Sequence, residues 1–162
     1  MFQDISYKPI GIIHTHYKDI TGMPIQPSGA DGVSGTIILK PELTSGLKDI
    51  EGFSHIILIY HFHLATGYKL EVTPFMDRKP HGLFATRVPL RPNPIGISTV
   101  KLLKTEHNVL YIEDVDIVDG TPLLDIKPFF EKFDNRNCSR NGWLDNNRTL
   151  NISEIKSDNR FR

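Results

Sequence analysis

The sequence predicts an all-β protein, a single small β-barrel built from short strands with few short helices. Its 162 residues suit one domain, and a hydrophobic content of 39% is enough for one buried core. Short apolar runs, many of them rich in β-branched residues, are separated by turn-forming residues along the chain. Many short strands between turns are typical of a closed or nearly closed barrel.

The predicted strands follow one another along most of the chain. His55–His61, with the sequence HIILIYH, is typical of a buried central strand. Residues 97–105 and 109–118 are joined by a short polar link that contains Asn108, which predicts a hairpin. The remaining strands are predicted at residues 9–14, 32–39, 70–73 and 123–127.

Residues 41–53 do not follow the strand pattern. The spacing of the glycines elsewhere in the chain argues against a Rossmann-like fold. Residues 41–53 open with proline, carry an early acid and contain two glycines, which predicts short helical turns. The chain lacks strand–helix alternation, and the spacing of Gly29, Gly32 and Gly35 does not match a dinucleotide-binding turn. A nucleotide-like cofactor would therefore have to bind in another way.

Charge divides the chain into a barrel domain, residues 1–134, and a polar, basic C-terminal tail, residues 135–162. The first part contains 13 Lys and Arg against 16 Asp and Glu, and the second contains 6 against 3. Because the formal net charge of the whole chain is zero, composition alone does not favour a nucleic-acid-binding protein. We expect the tail to be loosely held, with a strand around residues 150–155.

The cysteine content and the apolar runs indicate a cytoplasmic protein. Cys138 is the only cysteine, so no intrachain disulfide forms, and its surroundings indicate a surface thiol. We see no signal peptide, which favours a reducing compartment. No apolar run approaches the roughly 18 residues of a membrane-spanning helix, so no membrane contact is predicted.

Residues 84–98, FATRVPLRPNPIGIS, form the segment richest in chemical groups. Its three prolines predict an ordered loop at little entropic cost. Gly96 allows a close backbone approach or an unusual backbone angle. Arg87 and Arg91 place two guanidinium groups on this rigid loop, and such groups suit carboxylate or phosphate recognition. The loop is thus a candidate binding element for an anion.

The segment 114–128, DVDIVDGTPLLDIKP, contains a second candidate site. The turn sequence that starts at Asp119 offers backbone groups and a hydroxyl to an adenine or a ribose. Alternation along a strand puts Asp114 and Asp116 on one solvated face. The aspartates of this segment, or His61 and His63 two residues apart, could instead bind a divalent metal, although no compact third ligand accompanies the histidines.

Together these segments resemble the TsaA-like family, the TrmO-type tRNA (adenine-N6)-methyltransferases. Family members are similar in having an IGxI strand end, a P-x-Q-P loop, a G-F-S-H strand start, the run F-A-T-R-x-P-x-R-P-N-P-I-G and the run D-G-T-P-x-x-D-I-K-P. In this chain the motifs occur at residues 10–15, 24–27, 52–55, 84–96 and 119–128. The match covers roughly residues 7–134, and the order of the motifs makes it specific.

The resemblance implies a small β-barrel methyltransferase that works as a homodimer and binds S-adenosylmethionine. It implies methylation of N6 of threonylcarbamoyl-adenosine at tRNA position 37. The implied cofactor contacts are Pro27, Ser28, Gly29, His63, Leu64, Arg87, Ile97, Gly120, Thr121, Pro122 and Leu123.

Methyl transfer to N6 requires a proton acceptor, because the nitrogen loses a proton during or after attack. Asp119, beside the implied cofactor loop, is our first candidate, and His63 is the second. RNA is expected to be held by arginines of the rigid loop and of the basic tail, namely Arg91, Arg136, Arg140 and Arg148.

Two other classes of function remain open at this point. One is a metal-dependent enzyme on a small barrel, which would use His61, His63 and one acid. The other is a non-catalytic module that senses a small anion or nucleotide through Arg87 and Arg91. We expect no resident metal ion in the methyltransferase interpretation, because a sulfonium is already a good leaving group.

Overall fold

The computed structural model describes residues 3–147 and 151–161 and consists mainly of strands. The strands are β1 (Gly11–His14), β2 (Gly35–Leu39), β3 (His55–His61), β4 (Glu71–Val72), β5 (His81–Gly82), β6 (Ile95–Glu106), β7 (Val109–Glu113) and β8 (Thr121–Pro128). The helical segments are α1 (Glu131–Asp134) and the 3-10 turns Pro27–Gly29, Pro41–Leu47, Ile50–Gly52, Leu83–Ala85, Gly142–Asn147, Ile152–Glu154 and Asn159–Phe161. The predicted all-β class with few short helices is confirmed.

The strands β1, β2, β7, β6, β3 and β8 form a closed barrel in that order. Every neighbouring pair in the barrel is antiparallel. The central strand β3 pairs with β6 along its whole length and with β8 along its other edge, where the register shifts between Ile59 and Tyr60. Closure satisfies the backbone groups of each strand from both sides.

Alternation along the strands fills the barrel interior. In β3, Ile56, Leu58 and Tyr60 are buried, whereas the residues between them remain partly exposed. Side chains from the other strands complete this core, and its fully buried members include Ile13, Ile37, Val100, Leu110, Ile112 and Leu123. A second, smaller core cluster contains Val72, Leu83, Val88, Leu90 and Phe161.

Most predicted elements are confirmed with shifted ends. The predicted strands at residues 9–14, 32–39, 70–73 and 123–127 correspond to β1, β2, β4 and β8. The two-residue link His107–Asn108 joins β6 to β7 as a hairpin, and helical turns occupy most of residues 41–53. None of the helices in the described ranges has both the length and the apolar character to cross a membrane.

The strand predicted at residues 109–118 ends early, at Glu113. Asp114 has a φ of 65°, in the left-handed region that few non-glycine residues adopt. Its Oδ1 accepts a hydrogen bond of 2.9 Å from the backbone N–H of Gly32, which holds the kink. Beyond this kink the chain leaves the β6–β7 ladder, so strand alternation no longer determines where the next side chains point.

The C-terminal segment packs against the rest of the chain, which corrects the prediction of a loosely held tail. Phe161 is 7% exposed and belongs to the second core cluster. Lys156 forms a β-bridge with Pro24. The strand predicted around residues 150–155 is wrong for Ile152–Glu154, which form a 3-10 turn, and residue 150 lies outside the described residues.

Gly96 lies opposite Tyr60 in the β3–β6 ladder, where it allows a close approach. A Cβ atom at Gly96 would lie 2.5 Å from Cζ of Tyr60 and 2.9 Å from Cζ of Phe62. Without a side chain at this position, the aromatic ring of Tyr60 can lie across β6. The close backbone approach expected of Gly96 is confirmed.

Replacing Gly96 with alanine is expected to lower the free energy of unfolding by about 1–3 kcal/mol, because the rings of Tyr60 and Phe62 must move. Urea denaturation followed by circular dichroism measures the loss. Gly46→Ala is the matched control, because a Cβ there meets nothing within 4 Å. Equal losses in the two variants would show that the ring contacts do not set the requirement for glycine.

Candidate active site

A cavity of about 910 Å³ lies beside the end of the barrel where β3 ends and β6 and β8 begin. Its volume falls in the range of about 300–1,000 Å³ that is typical of small-molecule sites. The other walls come from the loop before β2, the loop before β6 and the C-terminal segment. Segments that are far apart in the sequence therefore meet around one space.

Many of the cofactor-binding residues implied by the resemblance line this cavity. They are Ser28, His63, Leu64, Arg87, Ile97 and Thr121. Pro27 and Gly29 adjoin Ser28 in a 3-10 turn, and Gly120 and Pro122 adjoin Thr121.

Leu123 is placed differently from the other implied contacts. Its side chain is 0% exposed and packs in the barrel core, and its carbonyl accepts a hydrogen bond of 2.8 Å from the N–H of Ile10. Its side chain is therefore not available to a ligand in the cavity.

The two arginines of the 84–98 loop have different surroundings. Arg87 reaches across to the loop before β2, where its Nη1 donates a hydrogen bond of 3.0 Å to Oε1 of Gln26. Arg91 is tied to its own loop, since its Nη1 donates to the carbonyl of Thr86 at 3.0 Å and its guanidinium lies over the ring of Phe84. Both arginines line the cavity, but Arg91 is held by its own loop, whereas Arg87 contacts the loop before β2.

Asp119 is engaged in structural contacts outside the residues that line the cavity. Lys18 donates a hydrogen bond of 2.5 Å to its carboxylate, the backbone N–H of Thr15 donates at 3.1 Å, and Nδ1 of His14 lies 3.1 Å away. These contacts, led by that of Lys18, lower the pKa of Asp119 to about 2. A carboxylate with so low a pKa is a weak base, so the geometry does not favour Asp119 as the proton acceptor.

His63, the second candidate acceptor, lies on the cavity wall beside Thr121. The hydroxyl of Thr121 donates to the carbonyl of Val118 at 2.7 Å, and Nδ1 of His63 lies 3.3 Å from the same hydroxyl oxygen. Because that hydroxyl proton is already directed at Val118, Nδ1 is the donor in the contact and Nε2 keeps its lone pair. Burial lowers the pKa of His63, and the neighbouring His61 lowers it further.

Strand alternation does not predict the position of Asp116 at the cavity. The sequence places it on a solvated face, but the kink at Asp114 turns it toward the cavity, and its side chain forms part of the wall. Ser98 donates a hydrogen bond of 2.7 Å to its Oδ1, and the hydroxyl of Tyr60 lies 3.0 Å from Oγ of Ser98. Burial raises the pKa of Asp116 to about 6, against the opposing effects of the Ser98 hydrogen bond and the positive charge of Arg87.

The C-terminal segment contributes a wall that no motif in the sequence predicts. Trp143 lines the cavity, and its Nε1 donates a hydrogen bond of 2.8 Å to the carbonyl of Ala85 in the 84–98 loop. Its ring stacks on that of His81 with the centroids 4.6 Å apart. Phe161 and Asp158 line the cavity as well. The sequence around these residues is polar and shows no helical or strand periodicity. Their place in the cavity wall is therefore evident only from the folded structure.

The arginines proposed from the sequence to hold RNA in the tail are only partly described. Arg136 and Arg140 are exposed in the segment that follows α1, near the exposed thiol of Cys138. Arg148 lies outside the described residues. Their role in RNA binding stays a prediction.

The metal-dependent alternative requires a third ligand beside His61 and His63. In the part of the chain that the structure describes, no group of three or more His, Cys, Asp or Glu side chains is arranged to hold a metal ion. The described residues therefore offer no ligand set for that alternative.

Comparison with known proteins gives one family. Residues 12–135 match the family described as the tRNA-methyltransferase O N-terminal domain, TrmO_N. A probable S-adenosyl-L-methionine-binding protein of Pyrococcus abyssi is 54% identical over 157 residues, which cover 97% of this chain and 85% of that protein. A tRNA (adenine(37)-N6)-methyltransferase of Mus musculus is 34% identical over 134 residues, which cover 78% of this chain and 31% of the mouse protein.

Solved structures indicate the same family as these relatives. The crystal structure of TrmO from Pseudomonas aeruginosa superposes with a TM-score of 0.74 at 35% identity. The aligned region covers 87% of this chain and 63% of that chain, so the protein described here spans less than two thirds of its solved relative. On its sequence and on its barrel, the chain belongs to the TrmO family, through the tRNA-methyltransferase O N-terminal domain.

Proposed function

We propose that this protein is an S-adenosylmethionine-dependent tRNA methyltransferase that methylates N6 of threonylcarbamoyl-adenosine at tRNA position 37. The observation that carries the proposal is the cavity, which the TrmO-like barrel forms and which six of the implied cofactor residues line. The names of the Pyrococcus and mouse relatives support the cofactor and the N6 chemistry. The threonylcarbamoyl group comes from the resemblance to the TsaA-like family.

The cavity suits a ligand with an adenine, a ribose and an amino-acid end. Its lining mixes aromatic and aliphatic side chains with a few polar groups, as expected of small-molecule sites. Arg87 contacts the neutral amide of Gln26, and none of the ion pairs between described residues involves its guanidinium. We assign Arg87 to the carboxylate of the cofactor, and the backbone around Ser28 and Thr121 to the adenine and ribose.

In this proposal the protein acts mainly by positioning. When bound, S-adenosylmethionine supplies a methyl group on a sulfonium that needs no metal to leave. Arg87 and the loop before β2 hold one end of the ligand, and the rigid 84–98 loop excludes water from one side of the cavity. Holding the reactants in line accounts for much of the rate enhancement in such a transfer.

Arg87→Ala is expected to weaken the binding of S-adenosylmethionine roughly 10- to 100-fold, because hydrogen bonds to charged groups contribute about 1.5–3 kcal/mol. Isothermal titration calorimetry measures the affinity. Arg78→Ala is the control, since Arg78 is exposed and outside the cavity lining. Unchanged affinity in Arg87→Ala would remove Arg87 from the binding site, and a wild type that binds no S-adenosylmethionine would refute the proposed function.

Methyl transfer is expected only to tRNA that already carries threonylcarbamoyl-adenosine at position 37. Two samples of one tRNA, with and without that modification, are incubated with the protein and S-adenosylmethionine, and nucleoside mass spectrometry detects the product. Equal methylation of both would overturn the proposed substrate. Tight cofactor binding without methylation of either would favour the non-catalytic binding module.

We also propose that the tRNA contacts Arg91, Arg136, Arg140 and Arg148. The two described tail residues Arg136 and Arg140 are exposed, as phosphate-binding arginines must be. The basic tail offsets the acidic character of residues 1–134. A tRNA substrate supports a cytoplasmic location.

We further propose that the protein is a homodimer. Apolar side chains on the cavity lining remain exposed, with Phe84 at 76%, Ile97 at 56% and Leu64 at 47%. Clustered exposed apolar side chains mark interaction surfaces, and a second copy of the chain would cover them.

Sedimentation velocity is expected to show a dimer for the wild type and a shift toward the monomer for Phe84→Ala, because the truncation removes apolar area that a second copy would cover. Phe133→Ala is the control, since Phe133 is 71% exposed on α1 and does not line the cavity. A monomeric wild type would contradict the proposed dimer.

A further inference from the structure

Asp116 is the acid whose surroundings fit proton transfer in the cavity. It borders the cavity together with Tyr60, Gly96 and Thr121. The chain reaches this position because the left-handed turn at Asp114 removes residues 114–118 from the β6–β7 ladder. Asp116 itself lies between β7 and β8, and the hydroxyl of Ser98 in β6 ties its carboxylate to the barrel.

The contacts of Asp116 leave its carboxylate basic. Its described side-chain partner is the hydroxyl of Ser98, and none of the ion pairs between described residues includes it. The charged and titratable groups that face it are Arg87, Tyr60 and Tyr17. Burial raises the pKa of both tyrosines, so they stay neutral while Asp116 titrates.

We propose that Asp116 is the catalytic base that accepts the proton from N6 of the target adenosine, an inference that rests on the proposed methyltransferase function. The N6–CH₃ bond forms as the bond between the methyl carbon and sulfur breaks, and the electron pair of that bond stays on sulfur. The N6–H proton moves to the carboxylate of Asp116, directly or through one water. A sulfonium and a carboxylate thus become a neutral thioether and a neutral carboxylic acid.

Electrostatics favour Asp116 over His63 for this step. A carboxylate beside the sulfonium and the attacking nitrogen complements positive charge in the transition state. His63 would become a cation as it accepted the proton, and burial, followed by the charge of His61, lowers its pKa against the opposing effect of Asp119. Asp119 is excluded by its bond to Lys18 and its position outside the lining.

The central test replaces Asp116 with asparagine, which keeps the shape and can still accept a hydrogen bond from Ser98. Single-turnover methyl transfer is expected to fall roughly 10²- to 10⁴-fold, the usual contribution of a general base. The affinity for S-adenosylmethionine, measured by calorimetry, is expected to stay within about a factor of three of wild type. Asp125→Asn is the matched control, because Asp125 pairs with Lys127 and does not line the cavity.

The pH profile provides a second readout. The ionised carboxylate is the active form, so the wild-type rate is expected to rise with pH through the pKa of about 6 and then level off. Asp116→Asn is expected to lose that rise. Carbon NMR of the Asp116 carboxyl, recorded without ligands, is expected to show the same midpoint and does not depend on activity.

Ser98 is a positioning residue for this base. Its hydrogen bond favours the ionised form of Asp116, so Ser98→Ala is expected to move the midpoint to higher pH in both the NMR titration and the rate profile. A merely structural role for Ser98 would lower stability without moving the midpoint. If Asp116→Asn fails to fold, this shift in Ser98→Ala tests the inference alone.

The outcomes separate this inference from the function on which it rests. An active wild type with an equally active Asp116→Asn would overturn the role of Asp116 and leave the methyltransferase intact. A parallel loss of cofactor affinity in Asp116→Asn would make Asp116 a ligand-binding residue instead. If the rise in rate with pH is lost in His63→Gln but kept in Asp116→Asn, the base is His63. A wild type that methylates no tRNA would overturn both proposals.

Discussion

Closure of the barrel is the constraint on which the rest of the structure depends. Because each strand pairs on both edges, the end of β3 lies next to the beginnings of β6 and β8. The segments that contain the candidate functional residues adjoin these strand ends. His63 follows β3, residues 84–94 lead into β6, and Asp119 precedes β8. Three motifs that are widely separated in the sequence therefore meet beside one cavity at the ends of barrel strands.

Two aspartates three residues apart show how the surroundings set the chemistry of a side chain. Asp119 is solvated and bound by Lys18, and its pKa is about 2. Asp116 is more deeply buried and bound by the neutral hydroxyl of Ser98, and its pKa is about 6. The first carboxylate anchors the turn before β8 to the end of β1, whereas the second keeps the basicity that proton transfer requires. Both are aspartates in one short segment, so residue type alone does not distinguish them.

Part of the cavity wall lies outside the region that matches the family. The match covers residues 12–135, yet Trp143 and Phe161 line the cavity. Trp143 is bonded to the carbonyl of Ala85, and Phe161 packs in the second core cluster with Leu83. This part of the wall is therefore built by residues that follow the matched domain.

The sequence by itself determined the all-β class, most strand positions and the family. Period-two alternation and turn residues act locally, and the order of the motifs is specific. It also located the close approach at Gly96, whereas the loop predicted over residues 84–98 ends at residue 94, because β6 begins at Ile95. Only the tertiary structure decided that Asp116 enters the cavity and that the tail completes its wall. The physical reason is that a left-handed kink at Asp114 and contacts such as Lys156 with Pro24 depend on partners distant in the chain, which no local pattern encodes.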